Sequence, residues 1–171
     1  MASWRSGRPA GPLTPFGLLL VAAVIVIDQA TKFLAEARLP FGEPTDLLPI
    51  LTFFRVHNTG IAFSMFAGFG PSVLIWGMLA VSAVVVAFWA TAQEGGRLAA
   101  TGFGLILGGA IGNLIDRVRF GHVVDFLLLH FGDWTLFVFN LADVALTLGP
   151  ALLLLVYLLP APGDRPPQSR V

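Results

Sequence analysis

The chain contains no cysteine, a single tyrosine and few charges, with ten Lys or Arg and ten Asp or Glu among 171 residues. The absence of cysteine removes disulfides, thiolate metal sites and Cys nucleophiles together. Charged residues make up 12% of the chain, whereas an ordinary soluble domain carries about 25%. The formal net charge is zero and the basic residues are scattered, so no nucleic-acid partner is expected. What fills the chain instead is apolar: 56% of residues are hydrophobic and the mean hydropathy is +0.83. A single domain of this length could not hide that much apolar surface from water, but a bilayer can accept it.

Crossing the hydrocarbon core takes about 20 apolar residues, and four stretches qualify, at about 14–34, 72–92, 98–117 and 141–159. The second is uncharged, the third is rich in glycine, and the fourth holds only Asp143. The first contains Asp28 and Lys32. It partly imitates a signal peptide, with the apolar run Phe16 to Ile27 behind Arg5 and Arg8, and an A-x-A-like Ala35-Glu36-Ala37. The long charged interval between that run and Ala37 favours an uncleaved helix. Four crossings leave both termini on one side with Arg5, Arg8, Arg97, Arg165 and Arg170, against Arg38, Arg55, Arg117 and Arg119 opposite. That small excess favours cytoplasmic termini. Segments 39–70 and 118–139 contain alternating and aromatic runs (ILTFFRVHN, GIAFSMF, VVDFLLL, WTLFVF) and read as short extracytoplasmic strands at the interface. The Pro-rich tail 161–171 reads as disordered. Gly104, Gly108 and Gly112, with Ala100 one step before, form a ladder of small residues for close helix approach.

Ionisable residues in or beside membrane helices cost about 2.5–3.5 kcal/mol each on insertion scales and are functional candidates by default. Here they gather: Asn113, Asp116 and Arg117 end the third stretch, Asp125 follows, and Asn140 and Asp143 open the fourth. Bland readings exist for most of them. Asp143, three residues after Asn140, fits a helix cap. Asp116 fits an ion pair with Arg117, and Asp28 with Lys32 fits an i, i+4 pair whose lysine snorkels outward. Asp125, between Val124 and Phe126, has no neutralising neighbour in sequence. Two carboxylates brought together share a proton, one serving as base on a water while the other polarises a carbonyl. His57, His122 and His130 have no nearby serine in a recognisable motif, and Asp125, Asp143 and His122 match no metal motif, so no metal is expected. One rival reading is a small membrane transporter with Asp116, Asp125 and Asp143 as a proton relay, although acids at helix ends suit transport poorly. Another is an assembly factor that uses only the glycine ladder.

The motifs VIDQATKFLA, HNTGIAFSMF, GGAIGNLIDRVRFGHVVDF and VFNLAD occur in that order, and with them the chain resembles lipoprotein signal peptidase (signal peptidase II), a membrane aspartic peptidase family. The resemblance implies a mainly α membrane protein, a four-transmembrane-helix bundle with a small extracytoplasmic β-cradle. It implies an aspartic endopeptidase of the bacterial cytoplasmic (inner) membrane, with both termini cytoplasmic and the active site at the extracytoplasmic face. Its substrates would be prolipoproteins with a diacylglyceryl-cysteine, cut just before that cysteine, and Asp125 and Asp143 would be the catalytic pair. Asn58, Asn113, Arg117 and Asn140 would bind substrate or position the pair, with Arg117 suited to a substrate carbonyl. Asp28, Lys32 and Asp116 would give structural polar support. Membrane lipids and cyclic peptide inhibitors such as globomycin are the other partners implied, and no metal or organic cofactor is.

Overall fold

In chain order the elements are α1 (Pro15–Arg38), β1 (Pro44–Leu48), β2 (Leu51–Asn58), α2 (Pro71–Thr91), α3 (Gly96–Phe120), β3 (Val123–Phe131), β4 (Trp134–Phe139) and α4 (Leu141–Leu158). The structure is a computed structural model that describes residues 7–60 and 71–158. The GIAFSMF run beyond Gly60 and the tail at 161–171 lie outside the described residues. Four helices are long and apolar enough to cross a bilayer, and the strands form one antiparallel sheet in the order β1-β2-β3-β4. Both parts of the expected fold class, the helix bundle and the small sheet, are present.

Local chemistry sets the helix limits. Thr14 caps α1, its hydroxyl accepting from the Gly17 N–H at 3.2 Å, and Pro15 occupies the first turn, where its missing N–H is harmless. The helix runs to Arg38, past the expected limit near 34, and stops at Leu39, whose extended backbone is the one favoured before Pro40. α3 closes on Gly121, which adopts the left-handed conformation (φ +76) and donates its N–H to the Arg117 carbonyl at 3.0 Å. β3 starts two residues later.

α3 is the central helix. Of its most apolar window 61% is buried, against 17%, 11% and 22% for α1, α2 and α4. The outer three therefore turn large apolar side chains outward, among them Leu19, Val26, Trp76, Phe88 and Leu154. An apolar exterior around a small and polar interior is what a lipid environment selects. α3 meets its neighbours through glycine. A Cβ added at Gly108 would lie 2.6 Å from the Val24 Cβ, and one at Gly112 would lie 2.6 Å from Asp28 Oδ2. Gly104, Gly108 and Gly112 thus face Leu20, Val24 and Asp28 of the parallel helix α1 in register. On another side of α3, a Cβ at Gly109 would lie 2.6 Å from the Ala142 carbonyl of α4. At the end away from the sheet, Trp89 stacks on Phe103 with ring centroids 6.0 Å apart and donates Nε1–H to the Ala10 carbonyl at 2.7 Å. That contact ties the segment preceding α1 to the α2–α3 packing.

Gly108→Ala is expected to lower stability in detergent or bicelles by roughly 1–3 kcal/mol, the usual cost of forcing extra carbon into a tight contact. Gly77→Ala, where an added Cβ meets nothing within 4 Å, is expected to stay within about 0.5 kcal/mol. Equal melting temperatures for the two variants would contradict the ladder's packing role.

Candidate functional site

Three segments bring the polar residues together. α3 delivers Asn113, Asp116 and Arg117 to the end of the bundle, Gly121-His122 turns the chain into β3, and β4 runs through Asn140 straight into α4. In the β2–β3 ladder Asn58 is opposite Val123 and Val56 opposite Asp125. Residues two apart share a sheet face, so the Asn58 amide reaches Asp125 diagonally, its Nδ2 donating to Oδ2 at 2.9 Å.

Asn140 completes the setting of Asp125. It is fully buried, and its Nδ2 donates to Asp125 Oδ1 at 2.6 Å and to Asn113 Oδ1 at 3.2 Å. Its other groups engage Asp143 in a reciprocal cap. The Asp143 N–H donates to Asn140 Oδ1 at 3.1 Å, and the Asn140 N–H donates to Asp143 Oδ2 at 3.1 Å. Asp143 Oδ1 accepts from Asn113 Nδ2 at 2.8 Å. Asp143 is therefore a helix cap, as its spacing suggested, and also a member of the polar cluster. The cap fixes its carboxylate instead of using it up.

Beneath this pair lies a buried ion cluster. Lys32 Nζ is 2.8 Å from Asp28 Oδ2 and 3.0 Å from Asp116 Oδ2, and it donates to Asn113 Oδ1 at 2.8 Å. Asp28, Lys32 and Asp116 are 0%, 3% and 1% exposed. Two bland readings from the sequence are corrected here. Lys32 does not snorkel outward, because Gly112 lets α1 approach α3 closely enough to offer the ammonium acceptors inside. Asp116 pairs with Lys32 and not with Arg117, because adjacent residues on a helix do not face each other. Each carboxylate of the cluster also holds a backbone N–H just ahead of one of the pair. Asp28 Oδ1 accepts from Ala142 N at 2.9 Å, and Asp116 Oδ2 accepts from Val124 N at 3.1 Å.

Gln29 belongs to the same cluster, donating Nε2–H to Asp116 Oδ1 at 2.8 Å and to the Gly112 carbonyl at 3.1 Å. The sequence reading passes over it. The available signal was a polar amide inside an apolar membrane stretch, the argument that singled out Asp28 and Lys32. Arg117, assigned from sequence to a substrate carbonyl, donates to two carbonyls of its own chain, Gly60 and, more weakly at 3.5 Å, Asn58. Its Nε has no hydrogen-bond partner among the described residues.

Burial, and after it the charge of Asp143, pushes the Asp125 carboxyl up to about 7, while its bonds to Asn58 and Asn140 oppose the rise. Asp125 and Asp143 line one cavity of about 650 Å³. Its polar end also holds Asn58, Asn113 and Arg117, and its remaining wall is apolar, with Val73, Leu74, Met78 and Val81 of α2 facing Leu146 of α4. Elsewhere His130 Nε2 lies 3.0 Å from the Thr52 hydroxyl, which donates to Asp46 at 3.1 Å. The order is wrong for nucleophilic catalysis, since the hydroxyl bridges the acid and the imidazole and the other ring nitrogen faces the Gly132 carbonyl at 3.0 Å. Among the described residues, no three His, Cys, Asp or Glu side chains converge as metal ligands would.

Fold and site together define a multi-pass membrane protein with a polar, carboxylate-bearing cavity at one end of its helices. A family model described as signal peptidase (SPase) II matches residues 20–159. A lipoprotein signal peptidase of Mesorhizobium japonicum is 50% identical over 143 residues, covering 81% of this chain and 82% of its own. One from Brucella ovis is 49% identical over 138 residues, covering 81% and 86%. Among solved structures, a bacterial membrane enzyme determined by the in meso method at 2.3 Å superposes with a TM-score of 0.76 at 26% identity, covering 85% of this chain and 89% of that one. The chain belongs to the signal peptidase II family, whose members remove signal peptides from lipoproteins, and it is a peptidase.

Asn140→Ala would leave Asp125 Oδ1 without a donor and remove the α4 cap. The expected loss of thermal stability is roughly 1–3 kcal/mol, as for a stranded buried acceptor. A loss below about 0.5 kcal/mol, the range of an ordinary surface change, would contradict the structural weight given to this side chain.

Proposed function

We propose that the chain is an aspartic endopeptidase that removes the signal peptide from diacylglyceryl-modified prolipoproteins, cutting just before the lipidated cysteine, with Asp125 and Asp143 as its catalytic dyad. The observation that carries the reading is the convergence of these two carboxylates, from β3 and α4, at the polar end of an otherwise apolar cavity. Catalysis needs one acid protonated and the other ionised at neutral pH. Asp125, pushed up to about 7, supplies the proton at rest and polarises the scissile carbonyl. Asp143, held at the positive end of α4, takes a proton from the attacking water. As the tetrahedral intermediate collapses, that proton passes to the leaving amine, and the new carboxylate ends the released signal peptide.

The other residues serve this geometry. Asn58 and Asn140 aim Asp125, and Asn113 aims Asp143. Arg117 holds the end of β2 through the Gly60 carbonyl and so positions Asn58. Asp28, Lys32 and Asp116 support the layer beneath. The apolar wall between α2 and α4 suits the acyl chains of the substrate cysteine, which remain among membrane lipids while the polypeptide meets the dyad. The enzyme sits in the bacterial cytoplasmic membrane, its termini inside and its dyad at the extracytoplasmic face, where cyclic peptides such as globomycin would occupy the same cavity. A transmembrane proton relay is disfavoured because Asp28, Asp116, Asp125 and Asp143 gather in one cluster at one end of the spans.

The test is cleavage of a purified diacylglyceryl-modified prolipoprotein. D125N and D143N, if folded, are expected to be slower by at least about 10²-fold, the lower range for losing a general acid or base. Wild-type kcat/KM is expected to fall on the alkaline side with an apparent pKa near 7, as Asp125 loses its proton. Near-normal turnover by either variant would remove that residue from the dyad, and wild-type cleavage abolished by a chelator would overturn the metal-free mechanism.

A further inference from the structure

An asparagine amide presents a donor at one end and an acceptor at the other, and beside a carboxylate the two ends have opposite effects. In this site three amides meet two carboxylates, so the direction of each amide is part of the mechanism. One group fixes two of those directions. The Lys32 ammonium has three donors and no acceptor, and it spends them on Asp28 Oδ2, Asp116 Oδ2 and Asn113 Oδ1. Asn113 must therefore turn its oxygen to Lys32, which leaves its NH₂ for Asp143 Oδ1. The same Asn113 oxygen accepts from Asn140, so Asn140 in turn directs its NH₂ toward Asp125 and its oxygen toward the Asp143 N–H.

We propose that Lys32 is a positioning residue of the peptidase reaction, acting through Asn113 to set the direction of the two buried amides and thereby to keep a donor, never an acceptor, facing each aspartate of the dyad. The proposal rests on the dyad reading above. It goes beyond structural support, because it assigns Lys32 an effect on the protonation of the reacting groups. The charged groups facing Lys32 are Asp28 from its own helix and Asp116 from α3. Those acting on Asp125 are Asp143 and Lys32, and Arg117 stands nearby on α3.

A donor or a cation beside a carboxylate favours its ionised form. Without Lys32, Asn113 is free to turn its oxygen to Asp143, and the pair then takes up its second proton more readily. The acid limb of the kcat/KM profile, which belongs to the pair, moves to higher pH.

The experiment measures kcat, KM and the pH profile on a diacylglyceryl-modified prolipoprotein for wild type, K32R, K32Q, N113A and K32Q/N113A, with thermal melts to verify folding. K32Q is expected to move the acid limb up by about one unit, on the scale of a lost neighbouring charge, and to lower kcat with little change in KM. K32R is expected to keep the limb near its wild-type position. N113A, which keeps the ammonium and its two carboxylate partners, is expected to reproduce part of the shift, and K32Q adds less to N113A than to wild type, the signature of two coupled residues. If K32Q does not fold, D28N/K32Q/D116N, which strands no charge, replaces it in the comparison. A slower K32Q with an unmoved limb would reduce Lys32 to a structural role, and an undiminished K32Q shift in the N113A background would overturn the route through Asn113. Both outcomes leave the dyad reading intact, whereas activity in D125N or D143N would remove the dyad itself.

Discussion

A lysine ammonium inside a membrane helix bundle needs an acceptor for every proton it carries, and at Lys32 that need organises everything around it. Taking the charge out of water costs several kcal/mol even after relaxation, a cost only close, well-directed partners offset. Asp28 supplies one acceptor from the same helix, but Asp116 and Asn113 belong to α3. The ammonium can be satisfied only if α1 lies tightly against α3, and the glycine ladder permits that approach. The two carboxylates also hold the N–H groups of Ala142 and Val124, Asp28 through its other oxygen and Asp116 through the same Oδ2 that meets Lys32. Each of these residues directly precedes one aspartate of the proposed dyad. The ion cluster thus reaches both segments that bring the aspartates together.

Above this rigid base the protein changes character. One side of the cavity is polar and cross-linked, with amides bonded to both carboxylates. The other side is formed by apolar residues of α2 and α4, Val73, Leu74, Met78, Val81 and Leu146. Such a division suits a reaction at a membrane boundary. The proposed chemistry needs fixed dipoles and a tuned carboxyl, while the proposed lipidated substrate needs an apolar wall it can enter from the bilayer. α2 is the least buried of the four spans, which keeps that wall open to lipid.

Much of the fold was legible because lipid imposes a length rule that apolar runs reveal directly. The strands from ILTFFRVHN, VVDFLLL and WTLFVF carried β-branched and aromatic runs and became β2, β3 and β4. β1, PTDLL, is exposed at all five positions and shows no alternation, so nothing in its sequence announced it. The site was legible as a crowd of polar residues at one boundary, but its pairings were not. Asp116 stands beside Arg117 in sequence and beside Lys32 in space, a long-range choice made by helix packing. Asp143 read as a cap or as a catalytic acid, and its geometry shows the cap. Gln29 stands out in the sequence only as a polar amide in an apolar stretch, and its partners on α3, a carboxylate and a carbonyl, follow from the helix packing.

The account depends on a proton held by the aspartate pair, and infrared spectroscopy of the resting enzyme reads that proton directly. The expected result is a protonated-carboxyl stretch that is present at about pH 5, where an unperturbed aspartate is ionised, is lost as the pH rises through about 7, and is absent from D125N. A wild-type spectrum lacking that band at about pH 5, or an unchanged band in D125N, would contradict it.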